Sequence, residues 1–284
     1  VSAAVDLFNT GPSRAGVHRL EDWECPQRWS YRHNLKLSPL VVPLPLAVGT
    51  LFHLGRAVVA AARMGDPQAL GLDPVEVMKA AHSRVALGFE DARKLFLAWT
   101  EYSKHQRDHV LAVEREFAAN VGGFLHTQRM DQVIEVRGRA CTGDTKSTSG
   151  EASRAHIEWE MHLQMLSAEL LGRALYPRPA PEGFGLEYGG LFVDVASKRD
   201  LSFRRTWITV NPELLAQARE QIARINREIQ AAKNAKLDPW EYPRNYFQCT
   251  GRWGACKYKA LCTSGKSALD QYIAAEDEVS ALEG

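Results

Sequence analysis

One stretch constrains this chain more than any other: a strand-forming run, a turn and a second strand, with acids at set places along them. Asp131 precedes Val133-Ile134-Glu135-Val136, a turn falls at Gly138, and Asp144-Thr145-Lys146 follows. The pattern predicts a hairpin in which Asp131 opens one strand and Asp144 lies near the end of the next. Residues two apart on a strand share a face, so Asp144 and Lys146 should project together. The Thr145 side chain then points away, while its backbone carbonyl stays available as a ligand. Phosphodiester hydrolysis at neutral pH needs an activated water and neutralised phosphate charge, and a bound divalent cation supplies both. Carboxylates and carbonyls are the oxygen donors such cations take, and an ammonium beside them can stabilise developing negative charge. Taken alone, the fragment reads more readily as a solvated surface hairpin, so its neighbours decide the matter.

Upstream, Gly49-Thr50-Leu51-Phe52-His53 precedes a helix expected from Leu54 to Met64. A single histidine in an apolar stretch is more often a buried core residue. Beside two aspartates, however, an imidazole would suit a manganese-tolerant site. Val110 to Phe117 reads as a strand that could pair beside the Asp131 hairpin, with Glu114 either facing the site or simply exposed. Downstream, Glu151 to Leu175 has the spacing of one long helix. Ile157, Trp159, Glu160, Met161, Gln164, Ala168 and Leu171 fall along one face of it. Gln164 on that stripe is either a satisfied core amide or a group touching metal-bound water or DNA.

The five cysteines form no disulfide framework that composition would favour. No basic leader with an apolar core opens the sequence, which predicts a cytoplasmic rather than a secreted, disulfide-stabilised protein. Cys249, Cys256 and Cys262 cluster, and Cys25-Pro26 lies far upstream. Three thiolates from one short region and a fourth from a distance can complete a four-cysteine site for zinc or an iron–sulfur cluster. Cys141 is left as a small core residue.

Together and in this order, these residues resemble RecB-type members of the PD-(D/E)xK nuclease superfamily. The similarity is greatest to the iron–sulfur branch, which holds the CRISPR-associated Cas-four nucleases, the AddB nuclease domain and exonuclease V. It spans nearly the whole chain, from Ser13-Arg14 to Leu261-Cys262. The resemblance implies an α/β fold with a restriction-endonuclease-like core sheet flanked by helices. It also implies a [4Fe–4S] cluster on Cys25, Cys249, Cys256 and Cys262, joining the N- and C-terminal regions. His53, Asp131, Asp144 and the Thr145 carbonyl would hold Mg²⁺ or Mn²⁺, with Lys146 and Gln164 completing the catalytic set. The implied activity is that of a metal-dependent deoxyribonuclease, an exonuclease on single-stranded DNA ends in recombination, repair or DNA processing. The alternative is a Cas-four-like or adaptor DNA-binding protein that turns over only in a partner complex. Three departures bear on this: Gln128-Arg129-Met130-Asp131 stands where the family often has Gly-Arg-Ile-Asp, and Asp144-Thr145-Lys146 where it often has Asp-Tyr-Lys. Ala168 occupies the position of a usual tyrosine. The last puts DNA positioning, polarity and rate in question.

At 284 residues, one integrated nuclease domain is expected. Within it, 13–35 and 245–265 would bind the cluster, 73–106 would form a helical insertion, and 110–210 the catalytic core. Strands are expected at Gly190 to Ala196 and Trp207 to Val210. A helix should run from Pro212 to about Lys233, capped by Asn211. The apolar stretch Leu40 to Leu54 is expected to be too broken by Pro43 and Pro45 to cross a membrane. A net charge of +1 means that any nucleic-acid affinity must be local. Basic and aromatic residues interleave near the C-terminus, including Arg252, Trp253, Tyr246 and Phe247, and again at Arg28-Trp29-Ser30-Tyr31. That mixture suits single-stranded DNA, although some of the aromatics should instead pack around the cluster. There are no helicase motifs, so a helicase, or a CRISPR-adaptation or recombination protein, would be a separate chain.

Overall fold

The computed structural model describes residues 16–85, 88–106, 108–155, 159, 162–177, 185–251 and 254–274. They fall into two compact units, one centred on Pro43–Glu220 and the other formed by His18–Val42 with Gln221–Gly284.

The first unit is built on a five-stranded sheet whose strands lie side by side in chain order. These are β1 (His109–Val121), β2 (Phe124–Val136), β3 (Arg139–Thr148), β4 (Glu187–Ser197) and β5 (Phe203–Ile208). The β3–β4 pair is parallel and the others are antiparallel. A parallel pair needs a crossover, and the chain between β3 and β4 includes the helix Leu163–Leu175. Against one face pack α1 (Leu44–Met64), α2 (Pro74–Val85) and α3 (Phe89–Ser103), around Leu51, Phe52, Met78, Leu95 and Phe96. Against the other pack α4 (Leu163–Leu175) and the start of α5 (Pro212–Asn234), over Val133, Leu191, Val193 and Val195. Alternation along β4 explains the split. Leu191, Val193 and Val195 face α4, and Asp194 and Ala196 face α1.

Several sequence expectations are redrawn. Asp131 lies well inside β2 rather than at its start, because the strand begins seven residues earlier at Phe124. The helix carrying His53 begins at Leu44 instead of Leu54. Pro43 and Pro45 do not break it; they sit at its N-cap and first turn, where a missing N–H costs nothing. This makes α1 long and apolar enough to cross a membrane by length and composition. More than half of its apolar window is buried within the unit, however, and it carries His53. The single helix expected over Glu151–Leu175 is divided into Ala152–Ala155 and α4. His162, in extended conformation, restarts the chain as the N-cap of α4 and accepts a hydrogen bond from the Gln164 N–H. Ile157, Glu160 and Met161 lie outside the described residues. Asn211 caps α5 as its position predicts, accepting from Leu214 N–H at 2.7 Å.

Two glycines mark close approaches, one between neighbouring strands of the sheet and one between the helix and the sheet. A Cβ on Gly143, next to Asp144 in β3, would stand 2.1 Å from the Phe192 ring. A Cβ on Gly49 would come within 3.0 Å of Ser147 Oγ. Gly49 thus lets α1 approach β3, and one helical turn later the same face carries His53.

The second unit gathers its core around Tyr31, Leu37, Tyr258, Leu261 and Tyr272, with Cys256 and Cys262 packed against it. Short strands Leu37–Pro39 and Tyr272–Ala274 pair in it, joining segments far apart in sequence. The Tyr258 hydroxyl donates to the Leu37 carbonyl at 2.7 Å.

Candidate active site

The hairpin β1–β2 turns through Gly122 and Gly123, both at positive φ, the conformation that a tight two-residue hairpin turn demands. That turn fixes the register. Val113 pairs with Gln132 and Arg115 with Met130, which leaves Glu114 opposite Asp131. Glu114 itself has φ 47°, the left-handed region that non-glycine residues avoid at a cost of roughly 1–2 kcal/mol. His53 of α1 completes the group. Its Nδ1 lies 3.3 Å from Asp131 Oδ2. Among the described residues, His53, Glu114 and Asp131 are the set of potential metal ligands whose donor atoms all lie within 4.8 Å of one another.

Asp144 is adjacent but turned the other way. Its Oδ2 is 2.7 Å from Lys146 Nζ, and its Oδ1 accepts from Gln164 Nε2 at 3.1 Å. Lys146 also donates to Gln164 Oε1 at 2.8 Å and lies 5.1 Å from the Trp159 ring. Asp144 and Lys146 therefore do share a face, and both ends of the Gln164 amide are engaged by them. Gln164 thus bridges Asp144 and Lys146. It is supported in turn by a buried chain in which Gln128 donates to the Gln164 carbonyl and Ser167 donates to Gln128. His126 contacts the Ser167 hydroxyl at 2.6 Å. Thr145 sits between the two faces. Its N–H donates to Asp131 Oδ2 at 2.6 Å, and its hydroxyl accepts from Arg56.

The electrostatics suit a cation. Burial pushes the Asp131 carboxyl up, against the pull of Lys146 and the Thr145 amide. Burial likewise raises Asp144, with Asp131 adding to it and Lys146 opposing. Glu114 is raised well above the carboxylate range by burial and by Asp131. Three acids whose ionisation is resisted by burial and by one another are short of positive charge. Burial, with Lys146 and Arg56, lowers His53 to about 3, so the imidazole is neutral at pH 7 and able to ligate. One imidazole with carboxylate oxygens fits a divalent cation, manganese as well as magnesium. Replacing Glu114 with Gln is expected to weaken Mn²⁺ binding at least tenfold, a scale reached even by residues that only support a ligand. Calorimetric titration of the two proteins at equal pH measures it.

Sequence reasoning missed the group behind this site. Arg56, one turn beyond His53, is buried and donates to Asp194 Oδ2 at 3.0 Å, with the Trp99 ring 4.9 Å away. Arg205 makes two further bonds to Asp194, at 2.7 and 2.9 Å, and one to Asp108 at 2.9 Å. An arginine three residues after a histidine on a largely apolar helix was the available signal for Arg56.

The proposed base-stacking residues fare differently. Trp29 and Tyr31 are 1% and 0% exposed and are packing residues. Trp29 lies among Trp23, Tyr242 and His33, and Tyr31 between Trp240 and Tyr258. Neither offers a ring face to a base. Arg28 donates to the Glu21 carbonyl at 2.6 Å and pairs with Asp22 at 3.4 Å. Arg252 and Trp253 lie outside the described residues.

Cys25, Cys249, Cys256 and Cys262 all belong to the second unit. Burial raises the Cys256 thiol, and Cys25 and Cys249 add to the effect; burial raises Cys262, with Cys25 and Cys256 adding. The Asn245 N–H points at Cys25 Sγ at 3.5 Å. Cys141, by contrast, is a buried core residue of the sheet beside Phe192.

Comparison with solved structures finds a Eubacterium rectale protein named "Putative exonuclease", 13% identical, with a TM-score of 0.50. The match covers 83% of this chain and 85% of that one. A second match, to the protein SSO0001, is also 13% identical and covers 76% of this chain and 84% of that one, at a TM-score of 0.33. No curated protein matches the chain. The profile of the PD-(D/E)XK nuclease superfamily matches residues 18–263, a span that takes in every acid, the lysine and the histidine gathered at this site, and the chain belongs to that superfamily.

Proposed function

We propose that the protein is a metal-dependent deoxyribonuclease acting as an exonuclease on single-stranded DNA ends. The observation that carries this reading is the convergence of His53, Glu114 and Asp131 beside the Asp144–Lys146–Gln164 group. His53, Glu114 and Asp131 would hold Mg²⁺ or Mn²⁺, with Asp144 and the Thr145 carbonyl as further oxygen donors. When bound, the cation supplies phosphate neutralisation and a more acidic water. Lys146, fixed by two acceptors, holds an ammonium where negative charge develops on the phosphate. Gln164 keeps Asp144 and Lys146 in register with each other.

Cys25, Cys249, Cys256 and Cys262 would hold a [4Fe–4S] cluster with a structural role in the second unit; a set of soft thiolates fits it. Arg28, Arg252 and Trp253 would contact the strand nearby. The pathway would be recombination, repair or DNA processing, with any helicase a separate chain.

The test is cleavage of end-labelled single-stranded DNA by anaerobically purified protein with Mg²⁺ or Mn²⁺, with iron, sulfide and zinc measured on the same preparation. Metal-dependent shortening from one labelled end, with iron and sulfide present, is the expected result. Iron-loaded protein that binds DNA but leaves it intact would favour the partner-dependent adaptor, to which Ala168 already points. Zinc without sulfide would replace the cluster with a zinc site.

A further inference from the structure

The second unit exposes two large aromatic side chains in succession. Tyr246 is 73% exposed and Phe247 92%, the highest value among the described large hydrophobic residues. Both lie on a single 3-10 turn, Tyr246–Gln248, directly before Cys249. A lone exposed apolar residue needs no explanation, but adjacent exposed aromatics on one hydrogen-bonded turn do.

Rigid holding is what the turn shows. Asn245 caps it, its Oδ1 accepting from the Phe247 N–H at 3.2 Å, and its Nδ2 donates to the Glu24 carbonyl at 2.9 Å. The Gln248 and Cys249 N–H groups close the turn onto Asn245 and Tyr246 carbonyls at 3.0 and 3.1 Å. The Asn245 N–H meets Cys25 Sγ, so the turn is tied to the thiol group. A platform whose backbone is already fixed before binding has less freedom to lose when a flat partner stacks on it.

The charge of this stretch of chain selects the partner. From Lys233 to Lys266 the chain carries seven lysines and arginines against Asp238 and Glu241 alone. Arg244, exposed overall although its guanidinium also reaches Tyr31, precedes the capping Asn245. A basic stretch of chain that carries exposed aromatic rings matches a polyanion with flat, accessible bases. Paired bases hide their faces in the duplex, so the strand must be single.

We propose that Tyr246 and Phe247 form a stacking platform for unpaired bases of single-stranded DNA, with Arg244 beside them for the phosphates. The inference rests on the nuclease reading above and gives its substrate a second contact, on the cysteine-bearing unit.

The experiment is fluorescence anisotropy with the full chain and a labelled oligothymidine, without added divalent metal so that no cleavage occurs. An abasic oligomer of equal length serves as the phosphate-only probe. The double variant Tyr246→Ala/Phe247→Ala is expected to bind oligothymidine about 10- to 100-fold more weakly, the scale of losing one or two stacked bases. Its affinity for the abasic oligomer should equal that of the wild type, and Phe247→Trp should retain oligothymidine binding. Unchanged oligothymidine affinity in the double variant overturns the proposal. So does an equal loss on the abasic probe, and so does a wild-type dimer that the double variant dissociates while DNA affinity stays constant. The last result would assign the aromatics to a second copy of the chain. A wild type that cleaves single strands and loses nothing in the double variant refutes only the platform. A wild type that neither binds nor cleaves DNA refutes the nuclease reading with it.

Discussion

Lys146→Ala is expected to lower the rate of single-strand cleavage by at least about 100- to 1000-fold, the scale of removing one preorganised charge-stabilising donor. The lysine is held by Asp144 Oδ2 at 2.7 Å and Gln164 Oε1 at 2.8 Å, so its ammonium is placed before substrate arrives. Alanine leaves Asp144 with the Gln164 amide as a remaining partner, and burial already favours the protonated acid. The fold should therefore survive, with a melting temperature close to that of the wild type. Lys146→Arg should not restore the rate, because a planar fork cannot occupy the position of a compact ammonium. Initial rates with saturating Mn²⁺, read beside thermal melting, check both statements. An alanine variant within a few-fold of wild-type activity would remove Lys146 from the chemistry.

Asp194→Ala is the substitution expected to cost the most stability, about 3–5 kcal/mol. Arg56 and Arg205 both lean on this carboxylate, and neither has ready access to water. Removing it leaves Arg56 with the Thr145 hydroxyl and no carboxylate, and Arg205 with Asp108 alone. Burial alone would raise the Asp194 carboxyl, but hydrogen bonds and charges from Arg205 and Arg56 overcome it and hold it below its ordinary value. A carboxyl depressed in the fold contributes stability that is complete above its unfolded value of about 3.9 and lost as pH falls through the folded one. Wild-type stability should thus decline more steeply below pH about 4 than that of Asp194→Asn. Chemical denaturation across that pH range measures the difference.

Much of the candidate site could be read from residue order. Asp131, Asp144 and Lys146 declare themselves through strand-period spacing, and Gly49 to His53 through one helical turn, since those relations are local. The β1 strand, α5 and its Asn211 cap were legible for the same reason. What was lost depends on distance. Asp194 and Arg205 carry no local mark, and only the fold brings Arg56 to them. Trp29 and Tyr31 look like DNA contacts in sequence, because basic and aromatic residues alternate there; burial makes them core. The proline pair at 43 and 45 resembles a break, yet position within the first turn reverses its meaning. Glu114 was within reach. Gly122-Gly123 between two apolar runs signals a tight hairpin, and counting back from it sets Glu114 against Asp131.

That count has an evolutionary consequence. Seven residues separate Glu114 from Gly122, and seven separate Gly123 from Asp131. The two acids meet because the arms are of equal length. Deleting one residue from either arm would offset the carboxylates and reverse the faces of the residues beyond it, dispersing the group with each of its residues still present in the sequence. Exposed positions such as Glu116, Ala118 and Asn120 are free to vary in identity, but not in number. Descendants of this chain can lengthen or shorten the hairpin and keep the two acids opposed only by altering both arms in step, so gaps placed in one arm alone would mark relatives that have lost this carboxylate pair.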